Sequence, residues 1–240
     1  MLEPVIDGTS WWDVQGVWVE PVNERRQGIS GVQRVVDSQG AVYYVKRQTN
    51  HLYRSLRYPR GRPTLLREWL NLQFCAARGI PTAPPQFFDM RKSVRGWEAV
   101  LVTRGLDGFI SLEDGIRGGR WTCTERRKIL LALAELLAPL HRAGRKHGHL
   151  YPKEILVRTE PELSVALLDW EVARYVGLAR WAAQSDLARL WRSLIALDVG
   201  DADRRAFLER YCALAGLHDL QLRGVPALTD EPSCSRPSAT

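Results

Sequence analysis

Residues 147–157 read HGHLYPKEILV, and residues 167–174 read LLDWEVAR. The first stretch sets His147, His149 and Glu154 on a polar turn ahead of a short apolar strand. The second ends another short strand, VALLD (165–169), on Asp169. A histidine-bearing loop, a β-hairpin and a carboxylate closing a strand are therefore expected in that order. Upstream lie a glycine-containing turn, a strand ending in Lys46 and a helix carrying Glu68.

Working outward, the first hundred residues read mostly as strands. Val17 to Val22, Val32 to Val36 and Ala41 to Lys46 are β-branched or aromatic runs separated by Gly and polar clusters. RYPRGRP (57–63) reads as an exposed basic loop. A helix is predicted over Thr64 to Arg78, with Leu65, Trp69, Leu72 and Ala76 on one stripe and Gly79 as a stop. Two further strands are expected near Gln86 to Phe88 and Glu98 to Thr103. After Arg104–Gly108 the chain turns helical. Thr122 and Glu125 predict a capping box for a long helix ending near Ala143. Helices over Asp186 to Leu197 and Ala202 to Leu214 follow the hairpin. The fold class is thus α+β and bilobal: a β-rich lobe over residues 1–105, a mainly helical lobe over 106–228, and a cleft between them. Residues 229–240, TDEPSCSRPSAT, read as a disordered tail.

Composition narrows the classes. No run of 18 apolar residues exists, so a transmembrane helix is not expected. The start, MLEPVIDGTSWW, lacks the basic and apolar regions of a secretory signal. Cys75, Cys123, Cys212 and Cys234 are widely spaced, which predicts neither a zinc site nor a disulfide framework and suits a reducing cytoplasm. A net charge of +7 favours anionic partners. A nucleic-acid-binding module is not expected, because no helix-turn-helix, zinc or base-stacking motif accompanies the charge.

Several residues are candidates for chemistry. Gly28, Ser30 and Gly31, with Arg25 and Arg26 before them, are expected on the turn between the first two strands. They either cradle phosphate with free N–H groups or simply make a turn needing positive φ. Lys46 projects from the same face as Tyr44 and Val42, where a lysine held by a helix carboxylate binds phosphates. Glu68, 22 residues on, is that carboxylate or an independent surface charge. Asp169 is placed to hold Mg²⁺ or to make a strand-end turn, and Glu154 to be a second oxygen ligand or a surface glutamate. His147 is assigned a bracing role. His149 is either a proton acceptor, a role open to histidine because an unperturbed imidazole titrates at about 6.5, or a non-catalytic replacement. Asp186 is expected at a helix start, as an N-terminal acid.

Together NERRQGISGVQRV (23–35), YYVKRQTNHLYRSL (43–56), REWLNLQFCAARGIPT (67–82), LVTRGLDGF (101–109), HGHLYPKEILV, LLDWEVAR and SDLARLW (185–191) resemble the lipopolysaccharide core kinases. The likeness is to the Kdo/heptose kinase family and its InaA-like branch. It implies a protein-kinase-like fold and ATP- and Mg²⁺-dependent phosphorylation of an inner-core sugar on the cytoplasmic face of the inner membrane. Lys46 and Glu68 would be the phosphate-binding lysine and its partner, Asp169 the metal aspartate, and Asp186 the acid that braces the loop backbone. Aligned on the kinase loop HRDxxxxN, HGHLYPKE puts His149 at the base position and Glu154 at the metal-binding asparagine. A positioned base contributes roughly 10²–10⁴-fold, so its replacement leaves two readings. One is an active kinase with His149 as base; the other is a pseudokinase that binds nucleotide or a partner. The arginines of the basic loop, Arg54, Arg57, Arg60 and Arg62, suit an anionic membrane surface.

Overall fold

The computed structural model describes residues 5–228, apart from 20, 26, 27, 219 and 227. The chain divides into two compact units, Met1–Asp107 and Gly108–Thr240.

The first unit is built on a six-stranded antiparallel sheet. Its long strands are β1 (Gly28–Val36), β2 (Val42–Thr49), β3 (Pro85–Ser93) and β4 (Gly96–Arg104). The order is Val17–Trp18, β1, β2, β4, β3, with Asn23–Arg25 also pairing with β1. Strand alternation sorts the side chains. Val35, Val45, Val100 and Val102 join Ile6 and Trp11 in one buried cluster. Lys46 stands opposite Val32 on β1 and Leu101 on β4, so it belongs to the other face. The helix α1 (Thr64–Ala77) buries Leu65, Leu72 and Cys75. Its bounds follow the predicted stripe, although Ala76 is exposed and Trp69 instead stacks on Phe88, with centroids 5.6 Å apart.

One expectation is corrected here. Gly28, Ser30 and Gly31 are not on the turn; they lie within β1. Neither glycine is there for a left-handed backbone. A Cβ on Gly31 would come within 2.5 Å of the Trp18 ring, and one on Gly28 within 3.1 Å of the Asn50 backbone. Close approach between strands accounts for both. Arg26, the side chain of Arg25 and the tail from Thr229 lie outside the described residues.

The second unit contains α2 (Leu112–Arg117), α3 (Cys123–Arg142), β5 (Ile155–Arg158), β6 (Ser164–Leu167), α4 (Ala179–Ala196) and α5 (Asp201–Ala215). Ile110–Ser111, β5 and β6 form a three-stranded antiparallel sheet. The capping box forms: Thr122 accepts from the Glu125 N–H, and the Glu125 side chain accepts from the Thr122 N–H. Ile129, Leu133, Leu137 and Leu140 of α3 are fully buried, as are Leu187, Leu190 and Leu194 of α4. This 3.6-residue spacing supplies the apolar stripe that packs the helices together.

Two further expectations are corrected. The helix that carries Asp186 begins at Ala179, so Asp186 is mid-helix and buried rather than an N-terminal acid. Cys123 is disulfide-bonded, against the expectation of no disulfide, while Cys75 and Cys212 are thiols outside any disulfide. Among the described residues, no helix is long and apolar enough to cross a membrane.

Candidate functional site

In the first unit, the register that turns Lys46 away from the valine cluster turns it towards α1. Its Nζ donates to both carboxylate oxygens of Glu68, at 3.0 and 2.9 Å. The lysine side chain keeps 22% of its exposure and the glutamate 8%. A carboxylate that is nearly buried on one helix therefore fixes a cation that still reaches solvent. The glutamate fixes where the ammonium, with its three donors, is held.

In the second unit, the polar loop is tied to the helical core through Asp186. Its carboxylate accepts from the backbone N–H of His147 at 2.6 Å and of Gly148 at 2.8 Å. It also meets Nε2 of His141 at 3.2 Å, and Nδ1 of His141 meets the Tyr211 hydroxyl at 2.7 Å. Burial pushes the Asp186 carboxyl up, but the His141 hydrogen bond, the neighbouring histidines and the Gly148 N–H outweigh it. The net pKa lies below the usual aspartate value. The carboxylate is thus kept charged inside the core, and its hydrogen bonds satisfy backbone donors of a loop that belongs to no regular ladder.

His147 braces this loop from the other side. Its Nε2 lies 2.8 Å from the Leu168 carbonyl, and its ring sits edge-on to Trp170 at 4.7 Å. Burial holds its pKa below the ordinary histidine value, so it is neutral and Nε2–H donates to that carbonyl. Arg189, one helical turn after Asp186, donates to the Gly148 carbonyl and lies over the Tyr151 ring, 5.1 Å from its centroid. Loop and hairpin are joined again where the Leu168 N–H donates to the Glu154 carbonyl at 2.8 Å.

These braces bring three side chains together. One ligand atom each from His149, Glu154 and Asp169 lies within 4.8 Å of the others. Asp169 has left-handed backbone angles, φ 58° and ψ 65°, which a short polar side chain tolerates better than most. That kink ends the strand and turns the chain into the Trp170–Val172 helical turn. The Asp169 carboxylate is hydrogen-bonded to Nδ1 of His149. A neutral imidazole facing a carboxylate donates from that nitrogen, which leaves Nε2 as the ring's acceptor. Burial, and then the charge of Asp169, push the Glu154 pKa up. Two carboxylates held this close are the hard oxygen donors that Mg²⁺ takes, and a cation would relieve their repulsion. The imidazole suits proton transfer or orientation better than Mg²⁺ ligation.

Of the residues singled out in the sequence, Lys46 and Glu68 are paired, and His149, Glu154 and Asp169 are gathered. His147 and Asp186 support the loop, whereas Gly28, Ser30 and Gly31 lie within β1. Sequence reasoning missed His141, Tyr211 and Arg189. Arg189 was legible in SDLARLW as the residue three positions after Asp186, on the same helix face. The His141–Tyr211 bond joins residues 70 apart, and nothing local announces it.

The lipopolysaccharide kinase (Kdo/WaaP) family matches residues 9–211. Protein InaA of Escherichia coli (strain K12) is 38% identical over 167 residues, covering 68% of this chain and 77% of that protein. A solved structure of WaaP in complex with acyl carrier protein superposes with a TM-score of 0.66 at 22% identity, covering 86% of this chain and 84% of that one. At that identity the superposition speaks for the fold, which is the one WaaP has. The match over residues 9–211 settles the relationship: this chain belongs to the lipopolysaccharide kinase (Kdo/WaaP) family.

Proposed function

We propose that the protein is an ATP- and Mg²⁺-dependent kinase that phosphorylates a sugar hydroxyl of the lipopolysaccharide inner core. The observation that carries this is the convergence of His149, Glu154 and Asp169 on a loop braced by Asp186. ATP supplies the γ-phosphoryl group, and Mg²⁺ neutralises charge on its phosphate oxygens. Lys46, oriented by Glu68, binds phosphate oxygens. Asp169 and Glu154 would hold the metal. Nε2 of His149 accepts the hydroxyl proton as the acceptor oxygen bonds to the γ-phosphorus. The bond from that phosphorus to its bridging oxygen breaks, and ADP leaves with the electron pair. Gly28, Ser30 and Gly31 would approach the nucleotide only through their strand backbone.

The proposed setting is the cytoplasmic side of the inner membrane. It rests on the need for ATP, not on the cysteines. The basic loop favours peripheral association with anionic lipid: Arg54, Arg57 and Arg60 are exposed, and Leu56 between them is 104% exposed. Phosphate transfer from labelled ATP to lipopolysaccharide core tests the kinase. We expect turnover that needs both Mg²⁺ and acceptor and that Asp169→Asn lowers at least about 10²-fold with the melting temperature retained. Undiminished turnover in that variant would remove Asp169 from the metal site.

A second reading is a pseudokinase, a nucleotide- or partner-binding regulatory module. It is favoured by the hydrogen bond that occupies His149 with Asp169 in place of the usual base. Nucleotide-dependent thermal stabilisation without transfer to any core acceptor would select it.

A further inference from the structure

The helix α1 opens at Pro63, whose side chain makes no cap, and its first turn holds no acidic residue. A helix start leaves backbone N–H groups that need an acceptor from elsewhere. Here the sheet supplies it. The side-chain oxygen of Gln48 on β2 accepts from the Leu65 N–H at 3.3 Å and from the Thr64 hydroxyl at 2.8 Å. We propose that Gln48 is a positioning residue of the nucleotide site, holding α1 where Glu68 meets Lys46. The proposal rests on the reading of Lys46 as the phosphate-binding lysine and adds to it what sets that lysine's aim.

Three observations support it. First, Lys46 and Gln48 stand two residues apart on β2 and so share a face. Leu65 and Glu68 lie three apart on one side of α1. One strand therefore grips one helix at two successive points. Second, Gln48 is 3% exposed and Thr64 4%, and Glu68 is only 6% exposed. Hydrogen bonds in such surroundings are electrostatically stronger than in water. Third, Gln48 is itself held. Its amide nitrogen donates to Ser30 Oγ on β1 at 3.4 Å. The Thr64 hydroxyl, whose proton goes to Gln48, lies 2.9 Å from Nδ1 of His51, which makes that nitrogen the donor.

The ion pair by itself does not fix the place of the helix. A lysine ammonium rides on a flexible four-carbon stem and can follow a carboxylate that moves. Burial of Leu65, Leu72 and Cys75 decides which face of α1 turns inward, but the hydrophobic effect is non-directional. A hydrogen bond to a backbone N–H weakens steeply when it is bent. The Gln48 contacts thus add the directional constraint that the other two lack.

The test reads Lys46 directly. Brief acetylation of the protein with acetic anhydride, followed residue by residue by mass spectrometry, compares Lys46 with Lys92, Lys128, Lys146 and Lys153. Pairing with a carboxylate slows acylation, because the reactive amine is the unprotonated form. We expect Gln48→Leu, similar in size but without the acceptor, to raise the Lys46 rate severalfold and leave the other four rates unchanged. Glu68→Gln sets the ceiling, and adding Gln48→Leu to it should raise the rate no further. Thr64→Val removes one of the two donors to Gln48 and should give a smaller rise of the same sign. Melting temperatures show which variants are native, so the result does not depend on Gln48→Leu alone. An unchanged Lys46 rate in both Gln48→Leu and Thr64→Val overturns the proposal. A rise shared by all five lysines also overturns it, since the cap would then serve stability and not position. Titration of the same proteins with Mg²⁺–ATP tests the kinase reading separately, and affinity is expected to fall as Lys46 reactivity rises. If reactivity changes and affinity does not, Gln48 places α1 but the nucleotide role of Lys46 falls.

Discussion

The two units hold their candidate reactive groups by opposite means. In the first, Lys46 is held by the Glu68 carboxylate of a neighbouring helix, and the lysine end of the pair reaches water. In the second, the loop that carries His149 hangs from a net of fully buried groups: Asp186, His141 and Tyr211. An ion pair near water adds little to folding, because hydration competes with it. A buried carboxylate serving several donors is different, since removing it strands every one of them. Orientation of Lys46 is therefore separable from stability, while the geometry of the loop is part of the core.

The most direct way to break this contrast is a pair of unfolding titrations. Asp186→Ala is expected to cost about 3–5 kcal/mol, and Glu68→Ala about 1 kcal/mol or less. Equal losses would show that the two braces do not differ in kind. Next in size, Lys46→Ala is expected to lower phosphate transfer about 10²–10³-fold while unfolding at nearly the wild-type urea concentration. A matching loss of stability would mean that the lysine is structural.

The smallest effect is one of pH. Burial lowers the pKa of His147, and the charges of Asp186 and Asp169 do not overcome it. Below the unfolded value of 6.5 the unfolded chain binds a proton that the folded chain refuses. The stabilisation is complete above pH 6.5 and is lost as the pH falls towards the folded pKa, at up to about 1.4 kcal/mol per pH unit. The depressed pKa of Asp186 adds a second loss, which begins below the unfolded aspartate value of about 3.9. His147→Gln should flatten the first decline and leave the second. An unchanged profile in that variant would place the acid sensitivity elsewhere.

Much of this was legible in the residues. The α1 and α3 bounds followed from helical spacing and from the Thr122–Glu125 box, both local signals. Strand alternation aimed Lys46, whereas its pairing with Glu68 emerged only from the accompanying kinase-like motifs. The start of α4 was hidden for a physical reason. Its first turn exposes Trp181, and Leu178 before it is exposed too, so apolar residues stand where the solvent face should be polar. Gly28 and Gly31 misled because glycine marks close approach as readily as a turn. The His141–Tyr211 contact and the Cys123 disulfide depend on tertiary proximity, which no local pattern encodes.

Trp170, next to the proposed metal carboxylate, is 1% exposed, and its indole N–H donates to the Leu167 carbonyl at 3.0 Å. Expelling a ring buried to that degree costs about 3–5 kcal/mol, on the scale of truncating it. Fewer than about one molecule in a hundred would then have this segment turned out at any moment. The turned-out arrangement is therefore a minor state that only a ligand with strong preference for it could populate. An inhibitor that traps such a rotated form would bind with its affinity lowered by that fraction, about a hundredfold or more.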